Sequence, residues 1–160
     1  MSITKSTENI EASSVGLIAE NLNQLVADSY ALMAQTHLAH WNVEGTDFLI
    51  LHQMFQAQYE DLFTAIDDIA ERIRALGHYA EGGIKKLGGM SSVAEGPSAA
   101  SASSKDWVSS VLLGNEVVIS TAVEARKIAA EAGDAESEDL LIGRISIHQK
   151  AVWFLNSYLK

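Results

Sequence analysis

Apolar residues recur at helical spacing along four stretches of this chain. Leu17, Ile18, Leu22, Leu25, Val26, Leu32 and Met33 share one face of a helix predicted from about Ser14 to Trp41. The polar break Asn42-Val43-Glu44-Gly45-Thr46-Asp47 ends it, with Gly45 as the turn residue. A second helix is predicted from about Phe48 to Leu76, stopping at Gly77, a residue suited to the left-handed position after a helix. The pattern resumes from about Asp106 to Ala132, ahead of Gly133, and again from about Glu136 to Leu159. No stretch alternates with the period of a strand, and no internal repeat is visible.

Residues 77–105 separate the second and third helices, and their centre, GGMSSVAEGPSAASASS, is small and polar. An interdomain linker is the plain reading of such a segment. Two helices on either side would not bury their apolar faces alone, so a crossover within one bundle is the better reading. The other connections are short and make antiparallel neighbours. The expected fold is therefore all-α: a four-helix bundle over residues 14–160, with one long crossover between helices 2 and 3. A short helix inside the crossover is left open. Residues 1–13 are expected to form a flexible extension.

With 160 residues, 48% of them hydrophobic, the chain has enough material for one real core. It has no cysteine, which excludes disulfides and thiolate metal sites and suits a reducing cytoplasm, the expected location. The N-terminus MSITKSTENIEASS lacks the apolar stretch of a signal peptide. No uninterrupted apolar run approaches the ~20 residues of a membrane span, so no membrane role is expected. A formal net charge of −10 opposes nonspecific contact with phosphate backbones and favours attraction of cations.

The chemistry concentrates in His40, His52, Asp67 and Glu71. Two imidazoles and two carboxylates form the mixed nitrogen and oxygen donor set that suits iron or zinc. At about 1.5 Å rise per residue, His52 and Asp67 lie roughly 22 Å apart on the second helix, too far to bind one ion within one chain. If all four are ligands, the site is shared. A two-fold axis between antiparallel copies of this helix brings His52 of one copy to Asp67 and Glu71 of the other, and makes a second identical site. The bundle interior lacks the Glu-x-x-His pairs of ordinary di-iron bundles: the residues three before the five histidines are Ala34, His37, Leu49, Ala75 and Ile145.

These anchors carry a resemblance. His40-Trp41-Asn42-Val43-Glu44-Gly45, Phe48, Leu51-His52 and Asp67-Asp68-Ile69-Ala70-Glu71-Arg72 resemble, in identity and spacing, the Dps family of ferritin-like mini-ferritins, over residues from about 14 to 160. The resemblance implies a hollow dodecamer with ferroxidase centres at two-fold interfaces, formed by His40, His52, Asp67 and Glu71. Fe(II) is oxidised there, preferably by hydrogen peroxide, with oxygen as the other oxidant, and the ferric product is stored in the cavity.

One position departs from the family pattern. Four residues after His52 the family usually has an acidic ligand, and here stands Gln56, whose neutral amide oxygen is a poorer iron ligand. Weaker binding of a second metal, or tolerance of zinc, is expected. His37, one turn before His40, could supply another nitrogen or orient the ligands. Trp41 is expected to pack beside the site, where the resemblance implies an indole that absorbs stray oxidising equivalents. His78 reads as a helix-end or surface residue, and His148 as facing a neighbouring helix or solvent. Trp107 and Trp153 read as core or interface residues.

The acidic run Asp134-Ala135-Glu136-Ser137-Glu138-Asp139 starts the fourth helix, where the helix dipole favours negative charge. The resemblance adds a second role: Asp134, Glu138 and Asp139 are candidates for lining three-fold pores that admit Fe(II). DNA binding is expected to be weak or absent. Lys5 stands alone against Glu8 and Glu11 in the N-terminal extension, and no basic tail ends at Lys160. Two other readings remain: a nucleoid-associated Dps with a weakened ferroxidase site, and a plain helical oligomer with vestigial ligands.

Overall fold

Each long apolar stretch becomes a helix in the computed structural model, which describes residues 10–160. The helices are α1 (Ala12–Asn42), α2 (Phe48–Ala75), α3 (Ile84–Met90), α4 (Ser104–Ala132) and α5 (Ala135–Leu159). The long helices begin or end within two residues of the expected limits, and α3 is the short crossover helix the sequence left open. The described residues contain no strand. The expected N-terminal extension lies outside the described residues as far as residue 9, and α1 begins at Ala12.

The stripes that predicted the helices are the surfaces that pack. Ile18, Leu22, Leu25 and Leu32 of α1 meet Leu51, Phe55, Ile69 and Ile73 of α2, Trp107, Val111 and Val118 of α4, and Leu141 and Leu155 of α5 in one buried core. α1 packs against α2 and α4, and α4 against α5, while α2 and α5 touch only lightly. A groove of about 470 Å³ is left between α2 and α5, lined in part by Met54, Leu62, Ile147 and Phe154.

Both predicted glycine stops are left-handed. At Gly77 (φ +85°) the Gly77 N–H donates to Arg74 O, and the His78 N–H to Ile73 O. Gly133 (φ +77°) and Asp134 repeat the pattern on Ala130 O and Ala129 O. These paired bonds satisfy carbonyls that a helix end otherwise leaves unpaired. α4 starts with a reciprocal cap in which Ser103 Oγ accepts from the Asp106 N–H and Asp106 Oδ2 accepts from the Ser103 N–H. The Ser103 hydrogen bonds hold the Asp106 carboxyl below its ordinary range. By length and composition α4 is apolar enough to cross a membrane. In this bundle its apolar face, including Trp107, Val111 and Val118, is core.

The path of the crossover is written on α1. Asn23 Nδ2 donates to Tyr79 O, and Asn23 Oδ1 accepts from the Glu81 N–H. Further along, Gln24 Nε2 donates to Met90 O, and Gln35 Nε2 to Ala94 O. The crossover therefore runs in the same direction as α1, back along the bundle. Its central clamp is Asp28, a carboxylate with no exposure that accepts from the Ser92 N–H (2.6 Å), Thr121 Oγ1 (2.8 Å), Ser91 Oγ (3.0 Å) and Gln24 Nε2 (3.2 Å). Ser104 Oγ donates to Glu44 O, so α4 starts beside the α1–α2 turn.

α1 and α4 approach closely at Gly114. A Cβ added there would lie 2.7 Å from Leu32 Cδ1 and 2.8 Å from Gln35 Oε1. Gly114→Ala is expected to destabilise the bundle by about 1–3 kcal/mol, because both neighbours sit in the packed α1–α4 seam. Chemical denaturation of the two proteins measures this directly.

Candidate metal centre

The turn between α1 and α2 builds the site. Val43 is buried and its N–H closes α1 on Ala39 O, while Gly45 takes φ +99°. Tyr158 Oη donates to Asp47 Oδ2 and ties the turn to the end of α5. This connection sets the last turn of α1 beside the first turns of α2, and His40 against His52.

The two imidazoles stack with centroids 3.7 Å apart and planes 19° from parallel. His40 Nδ1 lies 2.8 Å from His52 O, and His52 Nδ1 lies 2.9 Å from His40 O. A carbonyl oxygen can only accept, so both Nδ1 atoms carry the hydrogen. With each ring neutral, both Nε2 atoms keep a lone pair for a metal. His40 O is one of the carbonyls that the end of α1 leaves without a helical partner, which explains why it is open to His52. Reciprocal bonds to backbone oxygen fix tautomer and orientation as supports of metal-bound histidines do.

Asp67 and Glu71 are exposed on α2, further along the stripe that carries His52, Gln56, Tyr59 and Phe63. Among the described residues, no three His, Asp or Glu side chains of one chain come together around a cation. Between the His and acidic ends of the stripe stands Phe63, 71% exposed, and around the His end stand exposed Trp41, Phe48, Leu49 and Ile50. An apolar, solvent-facing surface of this kind marks an association surface.

His37 sits against two other rings of the cluster. Its ring lies 4.1 Å from the Trp41 ring and 4.3 Å from the Tyr59 ring, against 6.2 Å from His40. Trp41 is 62% exposed and reaches the pair through His37. Two neighbours were given no place at the site by the sequence. Tyr59 stands edge-on to His40 at 5.1 Å, and Phe48 packs on His52 at 5.0 Å. Tyr59 follows His52 by seven residues, a helical repeat that could have flagged it.

Asp134 is a correction. Its side chain is fully buried, and it accepts from Arg72 Nη2 (2.5 Å), Ser137 Oγ (2.6 Å) and the Ser137 N–H (3.2 Å). Arg72 Nε also donates to Ser137 Oγ at 2.8 Å. Assembly can only bury a residue further, so Asp134 cannot face a pore. It caps α5 and locks that helix to the end of α2. Glu138 is half-buried and Asp139 exposed, so both remain open to solvent.

A second buried polar chain lies at the α2–α5 groove. Arg144 pairs with Asp61 at 2.7 Å and donates to His148 Nε2 at 3.1 Å; His148 Nδ1 lies 2.8 Å from Asn115 Oδ1. The guanidinium can only donate, so His148 is neutral, with its hydrogen on Nδ1. Burial, followed by the Arg144 charge, pushes the His148 pKa from 6.5 down to about 4. A histidine depressed on folding binds fewer protons in the folded state than in the unfolded state between these two values. Its contribution is complete above pH 6.5 and declines as pH falls toward about 4. The decline is expected to be about 3 kcal/mol, and unfolding free energy measured from pH 7 to pH 4 checks it.

Comparison with known proteins places this fold in a class. Residues 19–160 match the family described as Ferritin-like domain. The chain is 32% identical over 142 residues to the Bacillus anthracis "DNA protection during starvation protein 2", covering 89% of this chain and 96% of that one. Among solved structures, it is similar to a Dps protein from Bacillus brevis, at TM-score 0.88 and 30% identity, covering 94% of this chain and 100% of that one. It is also similar to the Vibrio cholerae O1 Dps protein, at TM-score 0.89 and 26% identity, with 94% of each chain covered; that protein is described as a ferritin-like diiron-carboxylate superfamily member. The chain belongs to the Dps family of ferritin-like proteins.

Proposed function

We propose that this protein is an iron-oxidising and iron-storing Dps, with Fe(II) as its substrate, bound by His40 and His52 of one protomer and Asp67 and Glu71 of its two-fold mate. The observation that carries the reading is the stacked His40–His52 pair, whose Nδ1 atoms are tied to backbone oxygen so that both Nε2 atoms are left to bind metal. The carboxylates needed to complete the set stand exposed on the same stripe of α2, out of reach within one chain. They supply the negative charge that favours Fe(III) over Fe(II).

Hydrogen peroxide is the preferred oxidant in this reading, with oxygen second. Two Fe(II) ions give one electron each to one peroxide, which takes up two protons and leaves as two waters. No hydroxyl radical is released by that balance. The ferric product collects inside a hollow dodecamer, and Glu138 and Asp139 line the entry for the cation. Zinc competes for the same donors.

The test is anaerobic loading with Fe(II), then stoichiometric peroxide, with ferric absorbance recorded against buffer and against His52→Ala. Oxidation much faster than buffer that collapses in His52→Ala supports the site. A wild-type rate equal to that of buffer removes the reading. The names of the relatives raise DNA association as a second role, which the charge of −10 opposes. Retardation of DNA at low salt near neutral pH would establish that role, and its absence at low salt would exclude it.

A further inference from the structure

Gln56 stands where the family pattern has an acid, and a neighbour fixes the direction of its amide. Gln56 Nε2 donates to Glu60 Oε1 at 2.7 Å. The carboxylate can only accept, so the nitrogen is the end of the amide that faces Glu60. His52, Gln56 and Glu60 follow one another at one-turn intervals on α2, so Glu60 lies on the far side of Gln56 from His52. The amide oxygen is therefore turned away from Glu60 and takes no hydrogen bond from the described residues, which leaves it open to a cation. Donation to a full negative charge also polarises the amide and moves electron density onto its oxygen.

We infer that Glu60 is a positioning residue for the metal centre: it orients and polarises Gln56 so that a neutral amide oxygen serves as ligand beside His52. The inference rests on the metal-site reading proposed above. Glu60 touches no metal in this arrangement and acts through Gln56 alone. Loss of Glu60 frees the amide to rotate, and the nitrogen, which cannot bind a cation, then competes for the open position. With a carboxylate at position 56 either oxygen binds, and Glu60 has nothing left to orient.

The prediction distinguishes orientation from simple loss of charge. Anaerobic Co(II) titration, read by the visible bands that report ligand number and geometry, is carried out on the wild type, Glu60→Ala and Glu60→Gln. The same Glu60 substitutions are made in a Gln56→Glu background, and His52→Ala is the control. Glu60→Ala is expected to weaken Co(II) binding by about tenfold or more and to shift the bands, the usual scale for a residue that supports a ligand. Glu60→Gln, which accepts the same bond without the charge, is expected to lose less. In the Gln56→Glu background neither change weakens binding. Equal binding and spectra in wild type and Glu60→Ala, with binding still dependent on His52, overturns the role of Glu60 and leaves the site standing. Equal weakening in both backgrounds also overturns it, since charge alone would then account for the loss. Absence of any His52-dependent Co(II) binding in the wild type overturns the metal-site reading and this inference together.

Discussion

Chains carrying His52→Ala, and chains carrying both Asp67→Ala and Glu71→Ala, are each expected to be inactive alone and to regain about one quarter of the wild-type ferroxidase activity when co-assembled in equal amounts. The expectation follows from the proposed two-fold arrangement, in which each pair of chains would hold two sites and each site would take imidazoles from one chain and carboxylates from the other. In a mixed pair, one site receives both damaged halves and the other receives both intact halves. Random mixing makes half of the pairs mixed, and half of their sites intact. Peroxide-driven Fe(II) oxidation of the co-assembled protein measures the recovery. A site complete within one chain would recover nothing, because no chain in the mixture carries both sets. The distance argues for the shared arrangement, since roughly 22 Å of helix separates His52 from Asp67. The exposed Phe63 between them suits contact with a second copy.

Asp28→Ala is expected to cost about 3–5 kcal/mol, the largest effect on stability of any single change considered, because it removes a fully buried carboxylate that accepts from four part-buried donors at once. The Ser92 N–H, Ser91 Oγ, Thr121 Oγ1 and Gln24 Nε2 all point at this carboxylate. Those donors come from α1, α4 and the crossover, so the loss loosens three elements together. Thermal unfolding should begin on the order of 10 °C lower. Hydrogen exchange at the Ser92 amide, which donates to Asp28 Oδ1 at 2.6 Å, should accelerate sharply. Unchanged exchange there would mean that the crossover is held by packing alone.

The bundle and its order of helices were legible because their signals are local. Helical periodicity in each long stretch, Gly77 and Gly133 as stops, and the polar run between α2 and α4 are each contained within a few turns of chain. The four metal-ligand candidates were proposed from the sequence alone, together with the expected need for a second chain. That need follows from the fixed rise of a helix and requires no tertiary contact. The direction of Asp134 was not legible. Acidic residues at a helix start suit both a cap and a solvent-facing pore, and only Arg72, brought from the end of α2, decides for the cap. The same holds for His148, whose neutral state depends on Arg144 and on Asn115 from another helix.

The sequence by itself determined the helices, their connections and the donor atoms available to a metal, since these depend on residue type and on spacing along one element. Tertiary structure decided the rest. It set the tautomers of His40 and His52 through each other's backbone oxygens, placed His37 against Trp41 and Tyr59, and routed the crossover along α1 by way of Asp28. Each of these depends on a hydrogen-bond or packing partner from another element, and only folding supplies that partner.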